Sequence, residues 1–187
     1  MITADLPAPD TSLLDVVVTP LPAAMLVRPL DYLLAEHMRL RAVCSLLRYA
    51  GEVCILDARH AQAATQFITS ALPLHRDDEE QDLFPALLKY ARRGDELKAT
   101  IGNLKAEHQR MKPVQVDIVE ALTSPQETGP LPLAPTTARL LRDFSEAERR
   151  HVAVENGIVL AIARARINAK SLAEIAASMI ARREALP

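Results

Sequence analysis

The chain has few of the residues on which several classes of protein depend. It contains no tryptophan, only 3% aromatic residues and no block of lysines and arginines, and its formal net charge is -2. Proteins that bind single-stranded nucleic acid stack bases on aromatic side chains, and binding to duplexes or to anionic membranes requires a basic surface. The composition therefore favours neither a nucleic-acid partner nor a membrane partner.

The chain also lacks the marks of export. Its two cysteines, Cys44 and Cys54, form no CxxC motif and no disulfide pattern, so we expect reduced thiols. The apolar stretch VVVTPLPAAMLV near the N-terminus is broken by prolines and follows no basic region, which predicts neither a signal peptide nor a membrane span. We therefore expect a cytoplasmic protein. A length of 187 residues, 49% of them hydrophobic, suits one domain with a substantial core.

Hydrophobic periodicity predicts a first long helix after an irregular N-terminal arm at residues 1–27. One stripe, at the alternating four- and three-residue spacings of an amphipathic helix, consists of Leu33, His37, Leu40, Cys44 and Leu47. Glycine commonly ends helices, so we expect this helix to end at Gly51. No stretch of the chain shows the sustained alternation of a β-strand, and the predicted fold is all-α.

Three more long helices follow in the prediction. The second contains Pro73 and Pro85, each of which removes a backbone donor, so a kinked or divided helix is expected. A third helix follows, and the fourth begins near Pro135, since proline suits a first helical turn. Short links between four long helices predict an up-down four-helix bundle over residues 28–168. A short C-terminal helix at residues 169–187 is predicted to pack on or beside the bundle.

The histidines are distributed in a way that predicts a metal site. Only five occur, and four of them fall on four different predicted helices. Two begin an HxxxE pattern, which places a histidine and a glutamate about 6 Å apart on one helix face; the other two each end an AEH sequence. A single HxxxE pair is more often a surface hydrogen bond, but inward-facing units on four helices converge when a bundle closes. The predicted metal ligands are His37, His75, Glu79, His108, His151 and Glu155.

The remaining histidine and the acidic run after His75 receive simpler interpretations. His60 has no carboxylate four residues later and is expected to be an ordinary surface or core histidine. Asp77, Asp78 and Asp82 are expected to be solvated. Glu80 is turned about 100° from Glu79 around the helix. We therefore expect Glu80 not to bind the metal itself and, at most, to contact one of the residues that do. The run is thus predicted to combine a wet face with one inward carboxylate.

The ligand types indicate which metal the site takes. Imidazole and carboxylate without thiolate disfavour structural zinc, and the set is too rich in nitrogen for calcium or magnesium. Histidine with bridging carboxylates in a helical bundle suits iron or manganese. On two octahedral ions, four imidazoles, two bridging carboxylates and a shared oxo or hydroxo group leave two positions vacant. Water, dioxygen, nitric oxide or peroxide could fill them.

Four segments carry a resemblance to a known family. They are DYLLAEHMRLR, LPLHRDDEEQDLFPALL, KAEHQRM and ERRHVAVENGIVLAIAR, in this order between about residues 31 and 166. With them the chain resembles bacterial hemerythrin-like proteins of the HHE cation-binding group. The resemblance implies an up-down four-helix bundle that holds two non-haem iron ions joined by an oxo or hydroxo bridge, with manganese or zinc in their place in some preparations. By motif match, the six residues named above are its iron ligands.

One position departs from the pattern of the oxygen-carrying hemerythrins. Those proteins have HxxxH on the third helix, whereas the residue four after His108 is Lys112. Iron with one ligand fewer is more open to solvent and oxidises more readily. This departure argues against stable, reversible oxygen storage and favours sensing, scavenging or a role in iron handling.

The leading functional prediction is a di-iron binding protein that interacts with dioxygen, nitric oxide or peroxide, in sensing, scavenging, or iron and oxidative-stress handling. No acid–base pair is evident apart from the metal site, so a binding protein is favoured over a dedicated enzyme. A peroxide-consuming di-iron oxidoreductase is the first alternative. The second is a metal-dependent regulatory module whose terminal segments dock a protein partner that the sequence does not identify.

Overall fold

The structure is a computed structural model that describes residues 11–123 and 130–185. These residues form six helices and one pair of two-residue strands, so the all-α prediction is confirmed. A 3-10 turn at Ala23–Val27 precedes the second helix. The helices are α1 (Thr11–Val18), α2 (Pro29–Val53), α3 (58–90), α4 (Leu97–Leu122), α5 (135–166) and α6 (Ala169–Glu184).

Helices α3 and α5 contain π turns, in which the backbone hydrogen bonds reach one residue further than in an α-helix. In α3 the π turns are Phe67–Ala71 and Asp78–Leu83, and in α5 the π turn is Glu155–Val159. Pro73 and Pro85 each lie in the first turn after a π turn of α3. Proline cannot donate a hydrogen bond to the preceding turn, and the wider π turn accommodates it without ending the helix. The predicted kinks are therefore π turns in a continuous helix.

Two hydrophobic clusters show how the four long helices run. The first contains Leu47 of α2 and Phe67 of α3, and the second contains Leu33 of α2 and Phe84 of α3, so these two helices cross between the clusters in opposite directions. Helices α4 and α5 do the same, which gives the predicted up-down bundle. All four helices pass between the clusters through one middle level, and that level contains the predicted ligands.

Close packing of α2 against α5 explains why Gly51 lies inside α2 and does not end it, contrary to the prediction from the sequence. The helix continues through Gly51 to Val53, and Cys54 ends it in the left-handed conformation with a φ of 56°. A Cβ added at Gly51 would lie 2.5 Å from the carbonyl oxygen of Ala138 on α5. Glycine is therefore required here for helix–helix approach, and the prediction of a stop at Gly51 was wrong.

A short ladder ties two links together at the end of the bundle that holds the first cluster. Strand β1 (Ile55–Leu56) pairs antiparallel with β2 (Leu131–Pro132). Because β1 lies in the α2–α3 link and β2 in the α4–α5 link, the ladder holds both helix pairs in one register.

The segment that was predicted to be an irregular arm contains α1. Its sequence TSLLDVVV is rich in apolar residues, and Val17 is buried in the first cluster. The side chain of Arg39 on α2 donates a hydrogen bond to the carbonyl oxygen of Val17 at 2.8 Å. The tertiary contacts with α2 and α3 thus support a helix of only two turns, which is too short to be stable alone.

Helix α6 covers the opposite end of the bundle. Asn168 caps its first turn by accepting a hydrogen bond from the backbone N–H of Ser171 at 2.9 Å. Ile175 and Met179 are buried in the second hydrophobic cluster. The helix packs against α2, the 3-10 turn and the π turn Asp78–Leu83 of α3. Among the helices of the described residues, none is both long and apolar enough to cross a bilayer.

Candidate metal centre

Two groups of side chains that could hold metal ions lie at the middle level of the bundle. Within each group the donor atoms are all within 4.8 Å of one another, and Glu155 belongs to both groups. Every member is buried, with at most 4% of its surface exposed. The structure thus brings all six predicted ligands together. The first group is His37, His75, Glu79 and Glu155; the second is His108, His151 and Glu155.

The two HxxxE pairs place histidine and glutamate side by side, as their spacing predicted. On α3, His75 Nε2 lies 3.3 Å from Glu79 Oε1; on α5, His151 Nε2 lies 2.8 Å from Glu155 Oε1. Both glutamates stand in π turns, Glu79 as the second residue of one and Glu155 as the first residue of another. Isolated π turns inside α-helices occur frequently at functional sites.

Three of the four histidines are oriented by hydrogen bonds on the far side of the ring. The Nδ1 atom of His37 donates to the Asn156 side-chain oxygen at 2.6 Å. That of His108 donates to Glu80 Oε1 at 2.7 Å, and that of His151 to Glu107 Oε2 at 2.6 Å. Metal-binding histidines are commonly oriented in this way, because the donated Nδ1–H directs Nε2 toward the ion. Glu80 thus contacts the predicted ligand His108 without belonging to either donor group, as the sequence analysis allowed. The roles of Asn156 and Glu107 were not predicted.

His75 differs from the other three histidines because, within the described ranges 11–123 and 130–185, neither ring nitrogen has a hydrogen-bond partner, although the side chain is buried. A buried polar group left without a partner costs about 1–3 kcal/mol. A metal ion on Nε2 would remove part of that cost. Of all the features of this site, the imidazole of His75, without a hydrogen bond and close to Glu79 and Glu155, fits a metal ligand best.

The charges of the pocket also suit a cation. Burial lowers the pKa of His37, but Glu155 and Glu79 outweigh it and raise the pKa to about 10. Burial raises the pKa of Glu155, but contacts with His108, His151 and His37 outweigh it and hold the pKa well below its usual value. The pocket therefore retains a buried carboxylate charge and draws positive charge toward it, as a metal site does before its ion arrives.

Comparison with known proteins agrees with this geometry. Residues 28–163 match the family described as Hemerythrin HHE cation binding domain. The chain belongs to the hemerythrin HHE family. It is also similar to an uncharacterized protein of Haemophilus influenzae, with 24% identity over 168 residues that cover 83% of this chain and 90% of that protein. The family is one of cation-binding domains, and both donor groups lie within the matched residues.

A largely buried ion pair beside the two donor groups of this hemerythrin HHE domain was not predicted. Arg76 Nη2 donates to Glu148 Oε2 at 2.6 Å, and Arg76 Nη1 donates to His151 Nε2 at 2.8 Å. Glu148 is buried, and its Oε1 atom has no partner among the described residues. Arg76 follows His75 in sequence and Glu148 precedes His151 by three residues, but charged helical residues are usually solvated. No sequence pattern distinguishes this pair from surface charges.

Asp82 and Asp78 both contradict the prediction that the acidic run is solvated apart from Glu79. The side chain of Asp82 is only 11% exposed and pairs with Arg182 Nη2 at 2.8 Å. Asp78 is the more deeply buried of the two. Its side chain is fully buried and accepts hydrogen bonds from Arg182 and Arg183 of α6, the latter at 2.7 Å between Nη2 and Oδ2. The guanidinium of Arg183 also lies over the ring of Tyr32, 4.8 Å from its centre. The prediction was wrong because the partners of Asp78 lie 104 and 105 residues further along the chain.

Two further residues bear on the ligand count. His60 is half-buried and belongs to neither donor group. Lys112, four residues after His108, occupies the position of the second histidine in the HxxxH pattern and is exposed. It lines a cleft of about 600 Å³ between α3 and α4 that also reaches His108 and Arg76. The cleft therefore leads from the surface to the side of the centre where the fifth histidine is missing.

Proposed function

We propose that the chain holds two non-haem iron ions and interacts through them with dioxygen, nitric oxide or peroxide. The observation that carries the proposal is the pair of buried donor groups that share Glu155, in a family of cation-binding domains. Imidazole nitrogen and carboxylate oxygen without thiolate suit iron in a helical bundle. The proposed ligands are His37, His75, Glu79, His108, His151 and Glu155.

The two glutamates are suited to bridge the ions. Glu155 Oε2 lies 3.3 Å from His37 Nε2, and its Oε1 atom lies 2.8 Å from His151 Nε2. Glu79 likewise reaches both groups, with Oε1 3.3 Å from His75 Nε2 and Oε2 3.7 Å from His108 Nε2. Each carboxylate therefore presents one oxygen to each position. We propose that this pairing keeps the two ions together when their charge changes.

An iron pair would supply redox chemistry and vacant positions for a small ligand. The protein supplies a site buried between two hydrophobic clusters, which limits the access of larger reactants. The cleft at Lys112 gives a small molecule a route to His108. The absence of a histidine at position 112 supports ligand sensing, ligand scavenging or iron and oxidative-stress handling over reversible oxygen storage.

The test is the metal content and optical spectrum of protein purified with iron, before and after reduction and exposure to air. We expect two irons per chain and charge-transfer bands that bleach on reduction. Recovery of the reduced spectrum on removal of oxygen would indicate reversible binding, and permanent oxidation would indicate sensing or scavenging. One zinc ion, or no metal, without such bands would overturn the proposal.

A peroxide-consuming oxidoreductase is the second candidate, and the open cleft favours it. A binding protein needs only a narrow path for a diatomic molecule, whereas the cleft of about 600 Å³ admits a substrate and water and releases products. Because each peroxide reduced to water takes two electrons, the assay includes an external reductant such as ascorbate, and we then expect an enzyme to consume many equivalents of hydrogen peroxide per chain with its iron retained. A binding protein would instead stop after about one equivalent.

A further inference from the structure

We propose that Arg76 occupies the second metal position when no ion is there, so that the two positions fill in a set order. The first position, around His37 and His75, fills at once. The second position, around His108 and His151, fills only after the guanidinium has been displaced. This inference rests on the proposed function, since it concerns how the same donor groups take up their ions.

The contacts of Arg76 are those expected of a cation in the second position. Its Nη1 atom lies 2.8 Å from His151 Nε2, 3.4 Å from Glu79 Oε2 and 3.7 Å from Glu155 Oε1. A guanidinium carries only N–H donors, so the contact with His151 uses the ring lone pair that a metal ion needs. The arginine thus engages one imidazole of the second group and both carboxylates.

The first position has no such occupant. Among the residues that the structure describes, neither ring nitrogen of His75 has a hydrogen-bond partner. His37 faces Glu79 and Glu155 at 3.4 Å and 3.3 Å, and Asn156 orients its ring from behind. Two imidazoles and two carboxylates therefore stand ready for one ion without the removal of a protein side chain.

Displacement of Arg76 is compatible with its surroundings. Arg76 lines the cleft of about 600 Å³ and a second cleft of about 380 Å³, which contains Glu148. The Arg76–Glu148 ion pair of 2.6 Å gives the guanidinium a counter-ion at the edge of the centre, and the free Oε1 atom of Glu148 can take a second hydrogen bond. The arginine can therefore leave the ligands and remain paired.

The arrangement makes the second ion more weakly bound than the first. Incoming positive charge meets the positive charge of Arg76 within a few ångströms in a largely buried site, and this repulsion is large where water screens it poorly. The protein then has a stable state with one ion, in which the second position stays closed by its own side chain.

The test uses Zn²⁺, which has no redox chemistry, and follows binding to metal-free protein by calorimetry together with the bound metal per chain. For the wild type we expect two dissociation constants that differ widely. In Arg76→Met, the second constant should tighten by roughly a hundredfold, because the competing cation is gone. Arg76→Lys keeps the charge and should keep most of the separation.

Arg149→Met is the matched control. Arg149 lies on α5 two residues before His151, is half-buried, and reaches Ser45 rather than the centre. Its removal changes the net charge by the same amount and should leave both constants unchanged. An equal effect of Arg149→Met and Arg76→Met would attribute the change to overall charge and overturn the proposal.

Other outcomes are equally decisive. A wild type that binds two ions with equal affinity, or an Arg76→Met protein whose second site stays weak, overturns the inference but leaves the metal centre in place. A wild type that binds no metal overturns the proposed function as well. If Arg76→Met does not fold, side-chain NMR of ¹⁵N-arginine in the wild type decides: the Arg76 signal should shift only with the second equivalent of Zn²⁺, and a shift with the first equivalent overturns the order.

Discussion

The two HxxxE turns share a sequence pattern but differ in their surroundings. On α5, His151 contacts partners at both ring nitrogens, and three histidines hold the pKa of Glu155 well below its usual value. On α3, His75 has no hydrogen-bond partner in the part of the chain that the structure describes, and burial together with the charge of Glu155 raises the pKa of Glu79. The pattern determines which atoms share a helix face, whereas side chains from other helices determine their charge.

The two turns are also supported from different sides. The π turn of α3 rests on α6, through Asp78 and its two arginines. The π turn of α5 rests on α2, because Asn156 holds the ring of His37. One turn is thus secured by ion pairs at the edge of the bundle and the other by a hydrogen bond to an uncharged amide at its centre. The comparison predicts that the two turns respond differently to substitution.

The largest expected difference is between the two glutamates. Glu155→Ala removes a carboxylate that belongs to both donor groups and should leave less than one tightly bound iron per chain. Glu79→Ala removes a carboxylate that is a member of the first group alone but also lies 3.7 Å from His108 of the second, and it should leave at most about one iron per chain. Metal analysis of protein purified with iron measures both. Normal iron content and a normal spectrum in both variants would show that neither carboxylate bridges the ions.

Asp78→Asn should weaken the fold itself. It leaves two arginines facing a buried neutral side chain, and removing one partner of a buried ion pair costs about 3–5 kcal/mol. We expect the lower end of this range, because both arginines keep some access to water. Urea unfolding of the metal-free protein measures the loss. Asp31→Asn is the control, since Asp31 is half-exposed and its ion pairs with Arg28 and Arg164 are 3.5 Å long. The control should change the free energy of unfolding by no more than about 0.5 kcal/mol. Equal losses of stability in the two variants would show that the ion pairs of Asp78 do not stabilise the fold.

Asn156→Ala should act on metal affinity rather than on folding. Without the amide oxygen, the ring of His37 is free to rotate, and loss of such an outer contact weakens metal binding by roughly tenfold or more. Zn²⁺ binding to the first position measures the effect. Asn103→Ala removes an exposed amide on α4 and should leave the affinity unchanged. Unaltered affinity in Asn156→Ala would mean that packing alone orients His37.

The smallest effect is expected for the remaining histidine. His60→Ala should leave iron content and spectrum unchanged, because His60 lies in neither donor group. Loss of iron in this variant would identify His60 as an additional ligand and would remove the difference between this centre and a five-histidine one.

Residues whose role follows from helix geometry could be predicted from the sequence. The spacing of His75 and Glu79 places both on one face, and four such units on four helices have to meet when apolar stripes close a bundle. The up-down fold followed from the same stripes. These inferences need only local periodicity and short links.

Residues whose role depends on a distant partner could not be predicted. Asp78 is buried because Arg182 and Arg183 lie on a helix at the other end of the chain, and Arg76 is buried because Glu148 faces it from α5. From the sequence alone, Gly51 indicates the end of a helix, and only the close contact with Ala138 shows that it serves helix packing. In each case the residue type alone indicates a surface or a helix end, and tertiary contact reverses that indication.

The ion pairs of Asp78 also affect how the protein is made. During synthesis Asp78 leaves the ribosome more than 100 residues before the arginines that neutralise it. Until Arg182 and Arg183 are synthesised, the carboxylate of Asp78 must stay in water or be protonated. The neighbouring Glu79 is then not held in its position at the centre. We therefore expect the proposed iron ions to be acquired only after this part of the chain is complete, and a product that ends before Arg182 to expose an acidic turn that makes it more susceptible to proteolysis.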